Sequence, residues 1–159
     1  MTLERLRELI PWKTSFYDEL APLLPENPLI YYPASASDDE LKTFLPNARI
    51  IHLDQDPSYI IPAEQVIADY NFSPFKNQVF DAIYYNDNHA NNRGFREMLR
   101  TLKTGGLIIF YTDTCMGTFR ASNAREHRML EVLEKPTMSF TGSFENVIVL
   151  RKLEKPRTR

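Results

Sequence analysis

The stretch QVFDAIYYNDNHANNRGFREMLRTLKTGGLIIFYTDT, residues 78–114, decides the fold. It reads as an apolar strand (Val79–Tyr85), a polar loop, an amphipathic helix (Phe95–Leu102), a Gly-Gly turn and a second apolar strand (Leu107–Tyr111). Gly105 and Gly106 are predicted to end the helix. Two buried strands joined through a helix are the unit from which parallel α/β sheets are built.

The upstream sequence repeats this alternation of strands and helices. Leu29–Tyr32, Arg49–Asp54 and Gln65–Ala68 read as three further short strands, apolar enough for a sheet that is buried on both faces. Ser37 and Glu40 form a capping box before a short helix that ends at Pro46. Pro57 and Pro62 leave room for about one helical turn between the second and third strands, so that crossover is predicted to be abbreviated.

The two ends of the chain complete the predicted architecture. Leu3–Ile10 reads as a helix that Pro11 stops, and a second amphipathic helix carries Phe16, Leu20, Leu23 and Leu24. A helix from about Ala121 to Leu133 is predicted near the other end, followed by an antiparallel hairpin of Thr137–Thr141 and Glu145–Leu150.

These elements predict a single α/β domain. Its fold is a doubly wound, Rossmann-like, mostly parallel sheet of seven strands, with a C-terminal antiparallel hairpin and helices on both faces. Residues 1–28 form the N-terminal helices, 29–151 the α/β core and 152–159 a basic tail.

Composition narrows the classes of function. The 159 residues, 43% of them hydrophobic, suit one domain, and a net charge of -2 argues against a nucleic-acid surface. The sequence has no apolar run of membrane-spanning length, so no membrane association and a cytoplasmic location are expected. Cys115 is the one cysteine, which excludes an internal disulfide. We expect no metal site, because the sequence has no close-spaced ligand set beyond Asp87 and His89.

Two predicted loops bear on the chemistry. The loop after the first strand, PASASDD, has no glycine, although glycine-rich turns let the backbone of such sheets approach a nucleotide closely. The loop after the fourth strand, NDNHANN, offers hydrogen-bonding groups at Asn86 and Asp87 and a base near neutral pH at His89. Because open α/β sheets place reacting groups at the carboxyl ends of strands, this loop is the best candidate for chemistry. The alternative is a turn that is merely rich in Asn and Asp.

The order of elements resembles the class I S-adenosylmethionine-dependent methyltransferases over about Leu29–Arg151. The best local match is VFDAIYY followed by LRTLKTGGLIIF, and ADYNFSPF is similar to the stretch in which that family places an aspartate opposite the adenine amino group. The resemblance implies an enzyme that binds S-adenosylmethionine and methylates a small-molecule or unidentified acceptor.

Residue by residue, the resemblance implies a site at the strand ends. Asp54, with Gln55 beside it, would accept the ribose hydroxyls, Asp69 would face adenine, and Tyr70 would lie beside its ring. The remaining cofactor-binding candidates are Ala34, Ser35 and Ala36 in the first loop and Asn86 after the fourth strand, and the catalytic candidates are Asp87 and His89. Two alternatives stay open: the two aspartates cap turns, and Tyr70 is a packing aromatic.

The first loop departs from the family. Tyr32 stands where the family has an acid, and Ala34, Ala36 and Asp38 stand where it has glycines. A functional cofactor turn therefore predicts negative φ at Ala34 and Ala36, whereas the ring of Tyr32 or Pro33 in the crevice would exclude the ligand. The second hypothesis is accordingly an inactive protein of this fold that serves as a partner-binding subunit or binds a different small ligand.

Overall fold

A computed structural model describes Arg5 and residues 11–35, 40–59, 64–87, 91–113, 127–133 and 145–158. The strands of this part of the chain are β1 (Leu29–Pro33), β2 (Arg49–Asp54), β3 (Glu64–Ile67), β4 (Phe80–Asp87), β5 (Leu102–Asp113), β6 (Leu130–Val132) and β7 (Glu145–Lys152). The α-helices are α1 (Pro11–Leu20), α2 (Glu40–Phe44) and α3 (Asn92–Thr101), and short 3-10 turns cover Ala21–Leu23 and Tyr70–Phe72.

The strands form one sheet in the order β3-β2-β1-β4-β5-β7-β6. The first five strands are parallel to their neighbours, and β7 is antiparallel to both β5 and β6. Tyr31 at the centre lies opposite Ile51 on one side and Ile83 on the other. This arrangement confirms the predicted fold class, a mostly parallel sheet of seven strands with a C-terminal antiparallel hairpin.

Both faces of the sheet are covered, as predicted. Phe16 and Leu20 of α1 pack with α2 against one face, and Phe95 and Met98 of α3 pack against the other. Neighbouring residues of a strand point to opposite faces, so Tyr31 belongs to the second cluster and Tyr32 to the first. The strands are continuously apolar because each residue is buried on one face or the other.

The C-terminal hairpin forms, but with a different first strand. Residues 130–132, predicted to end a helix, are β6, and Leu130 lies opposite Lys152 of β7. Leu130 is buried, Glu131 exposed and Val132 half-buried, which is the period of a strand. The predicted helix to Leu133 is therefore wrong at its end, and the predicted strand Thr137–Thr141 lies outside the described residues.

The Gly-Gly turn does not end the helix. Helix α3 stops at Thr101, and Lys152 Nζ donates to the carbonyl oxygens of Leu99 (2.6 Å) and Leu102 (2.7 Å) at its end. Strand β5 begins at Leu102, and Gly105 lies within it at φ 78°, where the pairing with β4 shifts register. Here the glycine serves a β-bulge rather than a helix cap.

The remaining observations concern a membrane-spanning helix, the β2–β3 connection and the N-terminal helix. The described residues contain no helix long and apolar enough to cross a membrane. The β2–β3 crossover is abbreviated as predicted: it spans only residues 55–63, of which 55–59 form bends and turns. The helix predicted at Leu3–Ile10 lies outside the described residues apart from Arg5, which is helical, and Pro11 is the first residue of α1.

Candidate functional site at the carboxyl edge of the sheet

The sheet brings most of the candidate residues to one edge. Because β1 to β4 are parallel and adjacent, their carboxyl ends lie side by side. The chain runs outward from β1 through β2 to β3 and then returns from β3 to β4 on the other side of β1. Such a switch point, here between β1 and β4, opens a crevice at the carboxyl edge. The candidates that follow these strands are Ala34 and Ser35 after β1, Asp54 and Gln55 at the end of β2, Asp69 and Tyr70 after β3, and Asn86 and Asp87 at the end of β4.

The first loop corrects one prediction. Ala34 has φ 50°, in the left-handed region, whereas a functional cofactor turn was expected to have negative φ at this residue. By that criterion the first loop argues against a cofactor turn of the family type. The backbone thus takes a conformation that glycine adopts freely and alanine adopts at a cost of about 1–2 kcal/mol. Ala36 lies outside the described residues. The ring of Tyr32 packs in the core, its centroid 4.8 Å from that of Tyr84 and 5.5 Å from that of His52.

Ser35 connects this loop to β2. Its N–H donates to the Leu53 carbonyl oxygen at 3.4 Å, which brings the loop beside the end of β2. The residue is only 2% exposed, and its Oγ has no hydrogen-bond partner in the described part of the chain. A buried hydroxyl of this kind calls for a partner, and a bound ligand is one way of providing it.

Asp54 is a nearly buried carboxylate, 8% exposed, at the end of β2. Its Oδ1 accepts from the Asp56 N–H at 3.0 Å, and its carbonyl oxygen accepts from the Ala68 N–H at 3.0 Å. The side chain therefore caps the turn that follows β2, as the alternative interpretation predicts. A carboxylate has acceptor capacity for more than one donor, so the capping bond is compatible with a ligand hydroxyl. Gln55, next in the chain, is exposed.

Asp69 caps the turn after β3. Its Oδ1 accepts from both the N–H and the Nδ2 of Asn71, each at 2.8 Å. Tyr70 turns toward α3 instead, where its hydroxyl accepts from Asn91 Nδ2 at 2.9 Å. Its ring lies against Gly94 of the same helix. Packing was the alternative interpretation of this tyrosine, and these contacts support it.

Only the start of the loop after β4 is described. The backbones of Asn86 and Asp87 pair with Tyr111 and Thr112 of β5, so both residues still belong to the sheet. Residues 88–90, with His89, lie outside the described part of the chain. Within that part, no cluster of three or more histidine, cysteine or acidic residues could hold a metal ion.

Sequence reasoning missed an arginine that organises the segment before β4. Arg100 of α3 donates to the carbonyl oxygens of Phe75 (2.8 Å) and Ser73 (3.1 Å) and makes a bidentate pair with Glu97 at 3.0 and 2.7 Å. The hydrogen bond from Arg100 lowers the pKa of Glu97. An arginine on an amphipathic helix usually reads as solvated, so the sequence carries no signal for these contacts.

The described residues also form a cleft at the opposite, amino-terminal edge. It has a volume of about 260 Å³ and is lined mainly by apolar side chains, among them Leu24, Phe44 and Leu45. It lies beside Pro28 and Ala48, which precede β1 and β2. Because ligands of open α/β sheets bind at the carboxyl edge, this cleft is not the candidate site.

Comparison with known proteins supports the fold. No protein-family model and no curated protein matches the sequence. Among solved structures, a candidate methyltransferase from Haloferax volcanii, in complex with the Trm112 methyltransferase activator, is 15% identical, with a TM-score of 0.64 over 96% of this chain and 94% of that chain. A candidate S-adenosyl-L-methionine-dependent methyltransferase from Methanococcus maripaludis is 12% identical, with a TM-score of 0.61 over 95% and 90%.

Other similar structures are longer than this chain. A candidate methyltransferase from Bacillus halodurans C-125 is 18% identical, with a TM-score of 0.53 over 63% of this chain and 50% of that chain. The chain therefore spans about half the length of that protein. At these identities the likeness establishes the fold of the S-adenosylmethionine-dependent methyltransferases and leaves the activity to be argued from the site.

Proposed function

We propose that this protein binds S-adenosylmethionine at the carboxyl edge of the sheet and transfers its methyl group to an acceptor held beside the loop that follows β4. The observation that carries the proposal is the junction of β1 and β2. There the buried hydroxyl of Ser35, which has no hydrogen-bond partner within the described residues, lies beside the nearly buried carboxylate of Asp54. A buried polar group without a protein partner calls for one, and a ligand in the crevice would provide it.

The residues present fit the nucleoside part of this cofactor. Asp54 would accept the ribose hydroxyls and Asp69 the adenine amino group. Ser35, after β1, and Gln55, beside Asp54, would line the same edge. The cofactor supplies a methyl group already activated on a sulfonium, so the protein needs mainly to position the acceptor. We assign that task to Asn86 and Asp87, and the role of base to His89 if the acceptor must lose a proton.

The test is calorimetry with S-adenosylmethionine and S-adenosylhomocysteine. Asp54→Asn keeps an acceptor for the Asp56 N–H but removes the charge, so we expect affinity to fall by about 1–3 kcal/mol. Asp56→Asn is the matched control, because Asp56 is exposed and, within the described residues, its side chain accepts from the nearby Ser58 N–H. His89→Ala should leave binding nearly unchanged. Absence of heat from wild-type protein at millimolar ligand would sink the proposal at its first step.

A second candidate function, partner binding without catalysis, is favoured by a different observation. The exposed large hydrophobic residues of the described chain, Tyr59 (39%), Ile67 (54%) and Phe72 (60%), all lie near β3, where the crossover is short. The similar Haloferax volcanii protein was solved with an activator bound. Under this alternative, Ile67→Lys abolishes co-purification of a protein partner, and Asp54→Asn has no effect on any measured property except stability.

A further inference from the structure

We infer that contacts among Tyr70, Asn91 and Gly94, together called the latch, hold the turn after β3 and the N-terminus of α3 in a fixed relative position. The consequence for ligand binding rests on the proposed function: a ligand held at Asp69 would also fix the start of α3. That start is where the loop following β4 ends. Tyr70 and Asn91 are then positioning residues, and Tyr70 takes a role different from the adenine contact implied by family resemblance.

One side chain makes both polar contacts of the latch. Asn91 is the N-cap of α3, and its Oδ1 accepts from the Gly94 N–H at 2.9 Å. Its Nδ2 donates to the Tyr70 hydroxyl, also at 2.9 Å. Because the two groups belong to one planar amide, the geometry that caps the helix also fixes the position of the tyrosine ring.

The steric contact requires glycine at position 94. Gly94 is buried, and a Cβ atom there would overlap the Tyr70 ring and lie 3.3 Å from Asn71 Oδ1. A second contact lies beside this one. The guanidinium of Arg93, which precedes Gly94, lies 3.7 Å from the ring centroid of Phe72 at the end of the turn. The turn and the helix therefore meet through Tyr70 and Phe72 of the turn.

The latch adjoins Asp69, the residue proposed to bind the adenine amino group. Asp69 caps the same 3-10 turn by accepting from Asn71 N–H and Nδ2. A ligand that restrains Asp69 thus restrains Tyr70, and Tyr70 restrains Asn91 and the first turn of α3. The coupling requires no movement of the sheet, because every contact joins the turn that follows β3 to the N-cap and first turn of α3.

Amide hydrogen exchange tests the latch without a ligand. Tyr70→Phe keeps the ring over Gly94 and removes only the hydroxyl. We expect the amides of Gly94 and Phe95, whose own hydrogen bonds end on Asn91, to exchange about fivefold to tenfold faster. Asn91→Asp should keep wild-type exchange, because a carboxylate can cap the helix and accept from the Tyr70 hydroxyl. Tyr59→Phe, an exposed tyrosine elsewhere, is the control and should change nothing at these amides.

The reverse direction tests the same coupling from the helix. Gly94→Ala should speed exchange of the Phe72 N–H, which donates to the Asp69 carbonyl oxygen at 2.9 Å. Unchanged exchange at Gly94 and Phe95 in Tyr70→Phe, or at Phe72 in Gly94→Ala, overturns the latch. Tyr70→Phe is expected to fold because it is nearly isosteric. Gly94→Ala displaces the Tyr70 ring, so circular dichroism and urea denaturation are measured first to establish that this variant is folded.

Hydrogen exchange with bound ligand shows whether the latch transmits ligand binding to α3 or only stabilises the fold. With saturating S-adenosylhomocysteine, we expect slower exchange at Gly94 and Phe95 in wild-type protein and a severalfold smaller slowing in Tyr70→Phe. Equal slowing in both overturns the positioning role even if the two amides are less protected in the variant. If wild-type protein does not bind the ligand, the proposed function and the ligand coupling fail together. The ligand-free exchange then decides the latch alone.

Discussion

At the scale of single residues, Ala34 is the position where the sequence and the backbone disagree most. Alanine gives no signal for the left-handed conformation, and negative φ was predicted on the condition that the loop keeps a functional cofactor turn. The structure has φ 50° there because the chain must turn sharply after β1 for the Ser35 N–H to reach Leu53. A tertiary contact has overridden a local preference, which sequence patterns cannot show.

The strain at Ala34 is measurable. Ala34→Gly removes a Cβ atom from the left-handed region, so we expect the free energy of unfolding to rise by about 0.5–1 kcal/mol after the greater entropy of glycine is allowed for. Urea denaturation measures it. Ala68→Gly is the matched control, because Ala68 has no positive φ, and it should lower stability. A loss at position 34 as large as that at 68 would contradict the strain.

At the scale of elements, α3 organises its surroundings through its C-terminal half as well as its N-terminus. Arg100 bonds to the backbone of the segment that enters β4 and to Glu97 one turn earlier. Tyr31 of β1 is buried on the same face, and burial raises the pKa of its phenol. Through the hydrogen bonds that Arg100 donates to the backbone, the Glu97–Arg100 pair holds the segment between the Asp69 turn and β4 in place.

The pair gives stability a defined pH dependence. The folded-state pKa of Glu97 lies below the ordinary value of 4.5, so its contribution is fully present above that value and is lost as pH falls through the lowered folded-state pKa. We expect Glu97→Gln to cost about 0.5–1 kcal/mol in unfolding free energy at pH 7 and less at pH 3, where Glu97 begins to be protonated. Urea denaturation of both proteins at both pH values measures this, and a cost that does not change with pH would refute it.

At the scale of the whole molecule, the parallel core could be predicted and its irregular parts could not. Strands such as Leu29–Pro33 are continuously apolar because helices cover both faces, and that signal lies in the sequence itself. The strand β6 has only three residues, so its alternation could not be told from a helix end in the sequence alone. Likewise, the contact between Tyr70 and Asn91 joins residues 21 positions apart. Such contacts follow from the assembled sheet and not from any local pattern.

The central claim is that the carboxyl edge of the sheet is a nucleoside site. The most direct test is a titration of ¹⁵N-labelled protein with S-adenosylhomocysteine, followed by amide chemical shifts. We predict saturable shifts at Ser35, Gln55 and Asn71 and none at Leu24 and Ala48, which line the cleft at the opposite edge. No shifts at the carboxyl edge, or shifts confined to that opposite cleft, would contradict the account.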